Sequence, residues 1–231
     1  MKSNTGRFIT GVAICLGLMI SLNVTFADAQ SLQDLSAEWW QWALSIPTPV
    51  NPLADGTGED CMVGQRGATW FLAGVQEGGT VTRTCAVPEG KALFFPVINF
   101  VNVNTPNVCG QNAHNIPVAE LRDQIAPFID GATRLSVTVD GKQVKHLQRI
   151  QSNVFEVALP EDNVFDAPCA SQGLGEVPAG IYSPVVDDGF YVELPPLTVG
   201  NHTLHFHAEN TDAGFVEDVT YNHTVVPVSR Q

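Results

Sequence analysis

Turn signals recur along this chain at intervals too short for long helices. Asp55-Gly56, Thr57-Gly58, Gly78-Gly79, Pro88-Glu89-Gly90 and Asp140-Gly141 cut it into short apolar runs, and such runs between turn residues read as strands. Three fall early, at Ala68–Ala73, Thr80–Val87 and Lys91–Asn99. Leu135, Val137 and Val139 then alternate with polar residues, and Asp140-Gly141 is the signature of a type I′ hairpin. Further strands are expected at Asn153–Leu159, Phe190–Leu194, His202–Glu209 and Phe215–Val226. The fold class that follows is mainly β, a β-sandwich. The run KALFFPVIN is apolar almost throughout, which suits a strand covered on both faces, and its Pro96 points to a bulge or a strand end.

Two segments break the β pattern. Ser31–Ile46 reads as an N-terminal amphipathic helix. Ser31 can cap it, Asp34 sits three residues on, and Leu32, Leu35, Trp39, Trp42, Ala43 and Ile46 form one stripe before Pro47. This leaves Trp40 at the rim of the packing face. A short middle helix begins at Pro117, presents Val118, Leu121 and Ile125 on one side, and is expected to stop at Pro127. A soft domain boundary is placed there, with a helix plus β-rich region over 30–127 and a sandwich over 128–231. The stretch Pro160–Tyr182 reads as a long loop tethered by Cys169.

Residues 1–29 have the form of a cleavable signal peptide: Lys2 and Arg7, an apolar run from Phe8 to Phe26, then Ala27-Asp28-Ala29. The expected destination is periplasmic or extracellular. Cys61, Cys85, Cys109 and Cys169 follow the leader. An even number of cysteines in an oxidising compartment implies disulfides, and four permit three pairings. The preferred set is Cys61–Cys85 and Cys109–Cys169, which joins near neighbours and ties the long loop to the middle of the chain. The chain is acidic, with 24 acidic and 11 basic side chains and a net charge of −13. That surface disfavours nucleic acid and anionic membranes as partners. A protein or glycan ligand is the expectation.

The stretches NPLADGTGEDCMVGQRGATWFLAG and CAVPEGKALFFPVIN resemble a family of exported bacterial proteins that has no assigned activity, so the resemblance implies export and a shared fold but no catalytic residue. The ending GFYVELPPLTVGNHTLHFHAEN resembles the last strands of immunoglobulin-like domains, which implies an immunoglobulin-like sandwich in the C-terminal half.

One constellation could carry chemistry. In a strand, His205, His207 and Glu209 share the face opposite Leu204, Phe206 and Ala208. Two imidazoles at i and i+2 can converge on one zinc or other divalent transition metal, with Glu209, or His223 from the next strand, as a third ligand. His223 joins only if the hairpin register allows it. LHFHAE is similar to the first two zinc ligands of α-type carbonic anhydrases and to the HxH of cupins, but the remaining ligands of both are missing. His146 is expected opposite Leu135 on the apolar face. Asp55, Glu59 and Asp60, and the pairs Glu161-Asp162 and Asp187-Asp188, read as solvated loop acids. Trp40, Phe190 and Tyr191 are candidate rings for stacking on a sugar. No GxSxG elbow, HExxH helix or phosphate loop is present. The reading is therefore an exported soluble β-rich protein with a non-enzymatic binding or structural role; the alternative is a metal-binding protein or metal-dependent hydrolytic enzyme built on His205 and His207.

Overall fold

The computed structural model describes Met1 and residues 30–228; the rest of the expected leader lies outside the described residues. Helix α1 (Leu32–Leu44) starts where the capping pattern places it, with the Ser31 hydroxyl accepting from the Asp34 amide. Strands β1 (Thr69–Phe71), β2 (Gly79–Pro88) and β3 (Ala92–Val103) follow, then α2 (Val118–Asp130), β4 (Thr133–Val139), β5 (Lys142–Gln143), β6 (Gln148–Gln151), β7 (Phe155–Leu159), α3 (Asp166–Ser171), β8 (Gly180–Leu194), β9 (Gly200–Asn210) and β10 (Phe215–Val226). The chain is mainly β, in two five-stranded sheets. Sheet I runs β1-β3-β8-β6, with β7 also paired to β8; sheet II runs β2-β10-β9-β4-β5.

The sheets pack face to face. Leu93, Phe95, Val97, Val192 and Leu194 of sheet I meet Leu204, Phe206, Val219 and Tyr221 of sheet II, with Phe95 and Phe206 ring centroids 5.1 Å apart. Helix α1 covers the other face of sheet I, where its tryptophans pack around Phe71, Phe94 and Tyr191. β3 and β8 are therefore covered on both sides, as the unbroken apolar run of β3 implies. The irregularity expected at Pro96 is present as a register shift between Pro96 and Ile98. It reverses the alternation: Phe94 before it and Val101 and Val103 after it all pack on the α1 side.

Several expectations are corrected. The boundary at 127 does not divide the sheets: β3 pairs with β8, and β2 lies parallel to β10 from Gly79 to Pro88. The chain beyond 128 thus closes no sandwich of its own. α2 runs through Pro127 to Asp130, because Ile129 extends the stripe of Leu121 and Ile125 into the core, and that burial outweighs the one helix hydrogen bond a proline removes. β8 begins ten residues before Phe190, and the preceding loop contains α3. The hairpin at Asp140-Gly141 has both residues at positive φ, 51° and 73°, as type I′ requires. Its ladder ends at Gln143, so His146 is exposed instead of sitting on the apolar face. Asp55 is engaged locally: its carboxylate accepts from the Thr57 and Asp60 amides. The disulfides are Cys61–Cys85 and Cys109–Cys169. Among the described residues, no helix is long and apolar enough to cross a membrane.

Candidate functional site

β9 alternates as its sequence implies: Leu204, Phe206 and Ala208 are buried, and His205, His207 and Glu209 face outward. Asp218, directly opposite His207 on β10, holds both imidazoles. Its Oδ2 lies 3.0 Å from His207 Nδ1 and its Oδ1 3.3 Å from His205 Nε2. His207 Nε2 is 3.2 Å from Glu209, which also pairs with Arg134 at 3.0 Å. His223 does not join them. Five residues separate it from Asp218, an odd number, so the pleat turns it to the core face. There it is 1% exposed and stacks on Tyr221 at 5.1 Å. Neither of its ring nitrogens has a hydrogen-bond partner among the described residues, and burial pushes its pKa down to about 4. Among the described residues, no three His, Cys, Asp or Glu side chains are arranged to hold a metal ion. His202 is a structural tie instead, bonded to Asp140 through Nδ1 and to the Thr198 carbonyl through Nε2.

The sugar-stacking rings are also not a platform. All three indoles of α1 are buried and hydrogen-bonded: Trp39 to the Leu72 carbonyl, Trp42 to the Val63 carbonyl, and Trp40 to Asp187 Oδ1 at 2.7 Å. Trp40, expected at the rim, is only 8% exposed. An indole N–H with a buried acceptor allows the whole ring to leave water. Tyr191 is buried as well and donates to the same Asp187 oxygen at 2.7 Å.

These buried groups back one wall of a cavity of about 340 Å3. Trp39 and Trp40 line it on the α1 side, with ring centroids 4.9 Å apart. A second aromatic row also lines it. Phe100 of β3 contacts Phe128 of α2 at 5.0 Å, and Phe128 contacts Phe215 of β10 at 5.4 Å. The loop before and through the start of α3 supplies Val164, Phe165 and Pro168, and Gln76 and Glu77 are the exposed residues on its remaining side. Two polar groups reach the lining from the core. Asn99 donates to the Tyr191 hydroxyl and so joins the Trp40–Asp187–Tyr191 set. Glu217 projects from the core face of β10 and is 4% exposed.

The carboxyl groups here are unusual. Burial pushes the Glu217 pKa up to about 8, against the opposing pull of the Val75 amide and the Arg83 cation. The Val75 N–H donates to Glu217 Oε1 at 2.7 Å, whereas Oε2 makes no hydrogen bond to the described residues. Arg83 makes no hydrogen bond to the Glu217 carboxyl and acts on it through its charge alone, donating instead to the carbonyls of Asp55 and Ala73 and to the Tyr221 hydroxyl. Gly74 is required for this arrangement, since a Cβ there would lie 1.9 Å from Glu217 Oε1. Asp187 is fully buried and its pKa is likewise pushed up to about 8, by burial ahead of the lowering effect of its hydrogen bonds. Its Oδ2 has no partner among the described residues. The neighbouring Asp188 points the other way and is held by a two-point contact with Arg149 and a bond from Gln151. Neither acid is the solvated loop residue expected from its sequence. β8 continues through them because Gly189 lets β3 approach; a Cβ there would meet Asn99 Cβ at 2.5 Å.

A larger, open cleft of about 580 Å3 lies beside Gln30, Glu38, Gln41 and Arg66. It has volume but, among the described residues, no buried ionisable side chain on its lining, so the smaller cavity is the better candidate.

Sequence reasoning missed Glu217, Asp187 and Asn99. For Glu217 the signal was there: Val219, Tyr221 and Val225 set a period-two inward face on β10 that includes positions 217 and 223. Comparison with known proteins returns no match: no family model, no curated protein and no solved structure is significantly similar to the chain.

Proposed function

We propose that this is an exported, non-enzymatic binding protein that takes a small, mostly apolar ligand into the cavity between α1, α2 and β10. The observation that carries this reading is the cavity itself: about 340 Å3, lined chiefly by aromatic and aliphatic side chains, with a few polar groups reaching it from the core. Ligand pockets have this composition and span roughly 300–1,000 Å3. Export is supported by the two disulfides, which persist in oxidising compartments. A binding role rather than catalysis is supported by the state of the acids. Asp187 is locked by Trp40 and Tyr191 behind the wall, and Glu217 stands, among the described residues, beside no nucleophile with an activating base.

The test is titration of the disulfide-bonded protein with a neutral fluorescent probe, N-phenylnaphthylamine. Saturable binding at one site per chain, abolished by Val75→Trp on the cavity lining, is expected. An absence of saturable binding would refute the reading.

A further inference from the structure

We infer that the cavity selects a small organic monocation, an alkyl- or arylammonium, with Glu217 as its counter-ion and the aromatic rows as its cage. The inference rests on the binding reading above and names the class of ligand.

Three independent observations point to a cation. First, the lining is rich in aromatic rings, Trp39, Trp40, Phe100, Phe128 and Phe215, and the faces of such rings attract ammonium groups. Second, the ionisable group buried at the lining is an acid whose Oε2 makes no hydrogen bond to the described residues, on a residue 4% exposed. Oε2 is not among the sealed-off unpartnered atoms, so the carboxyl meets the cavity with an oxygen where a cation can take the place of its proton. Third, the chain carries a net charge of −13, and Glu77 stands among the lining residues. That field concentrates cations at the opening.

The charged groups around Glu217 set the proton balance. Arg83 approaches from β2 but donates to two carbonyls and the Tyr221 hydroxyl. Glu77 lies on the β1–β2 connection, Tyr221 on the same face of β10, and Asp218 on the opposite face with His205 and His207. Empty, Glu217 holds its proton at neutral pH. A permanent cation entering the cavity favours the carboxylate, so one proton leaves to solvent as the ion pair forms. No covalent bond other than that O–H is broken.

The experiment compares benzyltrimethylammonium with neopentylbenzene, its uncharged counterpart in shape, on the disulfide-bonded protein by calorimetry at pH 6, 7 and 8. Buffers of different ionisation enthalpy count the protons released. The cation is expected to bind at least about tenfold more tightly, with affinity rising close to tenfold per pH unit below pH 8, which is the factor one released proton gives. Glu217→Gln, which replaces a neutral acid by a neutral amide, should abolish the pH slope and the preference while still binding neopentylbenzene. Equal or tighter binding of neopentylbenzene by the unaltered protein would overturn the cation assignment and leave the binding reading standing. Binding of neither compound, with N-phenylnaphthylamine also excluded, would overturn both. A cation preference without proton release, or one that survives Glu217→Gln, would overturn the role of Glu217.

Discussion

Replacing Glu217 by Gln should make the protein more stable at pH 8 while changing it little at pH 5. The acid is 4% exposed, and its folded pKa is about 8 against 4.5 for the free side chain. A raised acid is a proton-binding group of the folded state. Below pH 4.5 both states hold the proton and nothing is lost. Between about 4.5 and 8 the unfolded chain ionises while the folded one cannot, so stability falls as pH rises, by about 1.4 kcal/mol per unit. Above pH 8 the loss levels off. Integrating the linkage gives a penalty of about 1 kcal/mol at pH 5 and about 4 kcal/mol at pH 8. Gln keeps the Oε1 acceptor for the Val75 amide and has no charge to bury. The difference between variant and parent, from urea unfolding at half-unit steps from pH 4.5 to 8.5 under non-reducing conditions, should therefore grow by about 4 kcal/mol across that range. Taking the difference removes every other titrating group that the two proteins share. A flat difference would mean that Glu217 is ionised in the folded state, with Arg83 or solvent stabilising it, and would refute the assignment of a neutral, proton-holding acid at the cavity wall.

Asp187→Asn should behave with the same sign over a window beginning near pH 4, since its Oδ1 remains the acceptor for Trp40 and Tyr191; equilibrium unfolding against pH checks it. Trp40→Phe removes a donor to a fully buried carboxyl and should cost about 1–3 kcal/mol in denaturant unfolding. Gly74→Ala places a methyl against Glu217 Oε1 and should lower stability by about 1–3 kcal/mol and weaken probe binding, measured by melting and fluorescence titration. His223→Phe keeps the stack on Tyr221 and removes two unpartnered ring nitrogens. A histidine held neutral by burial loses stability as pH falls from 6.5 towards 4, so this variant should resist acid unfolding better than the parent, as unfolding at pH 4 to 7 would show. Removing Cys61–Cys85 should cost about 3.5 kcal/mol and removing Cys109–Cys169 about 4, from loops closed over 24 and 60 residues, read from double Cys→Ser variants.

The parts of this fold that were legible in sequence are those where one physical rule acts alone. Ser31 caps α1 because a hydroxyl there has a free amide to accept from, and β9 alternates because water lies on one side of it and the core on the other. The pairing of Cys109 with Cys169 followed from a loop that needed a tether. β8 was illegible for the opposite reason. Both of its faces are covered at Asp187 and Asp188, by α1 on one side and by the Arg149 and Gln151 side chains on the other, so no alternation survives. Its acids and Gly189 carry the composition of a turn. Only the partners make a strand there possible, and these lie 147 residues away for Trp40 and 39 for Arg149. The division at 127 failed similarly: the parallel pairing of β2 with β10 joins segments too distant for local pattern to reveal.

The same distance effect accounts for what the histidines suggested. Three histidines in six residues draw the eye to β9, yet their acceptors, Asp218 and Asp140, tie strands and turns together on a half-exposed face. The cavity draws instead on residues that carry no motif: a glutamate between a valine and an aspartate, an asparagine within an apolar strand, and two tryptophans on a helix. Glu217 alone among them is buried against the usual preference of its type. A carboxyl kept out of water loses its charge unless a partner restores it. Here Arg83 makes no hydrogen bond to the Glu217 carboxyl and acts on it only through its charge, a pull that burial outweighs. Part of the cavity lining, from Val164 to Pro168, is anchored at the next residue by Cys169 to Cys109.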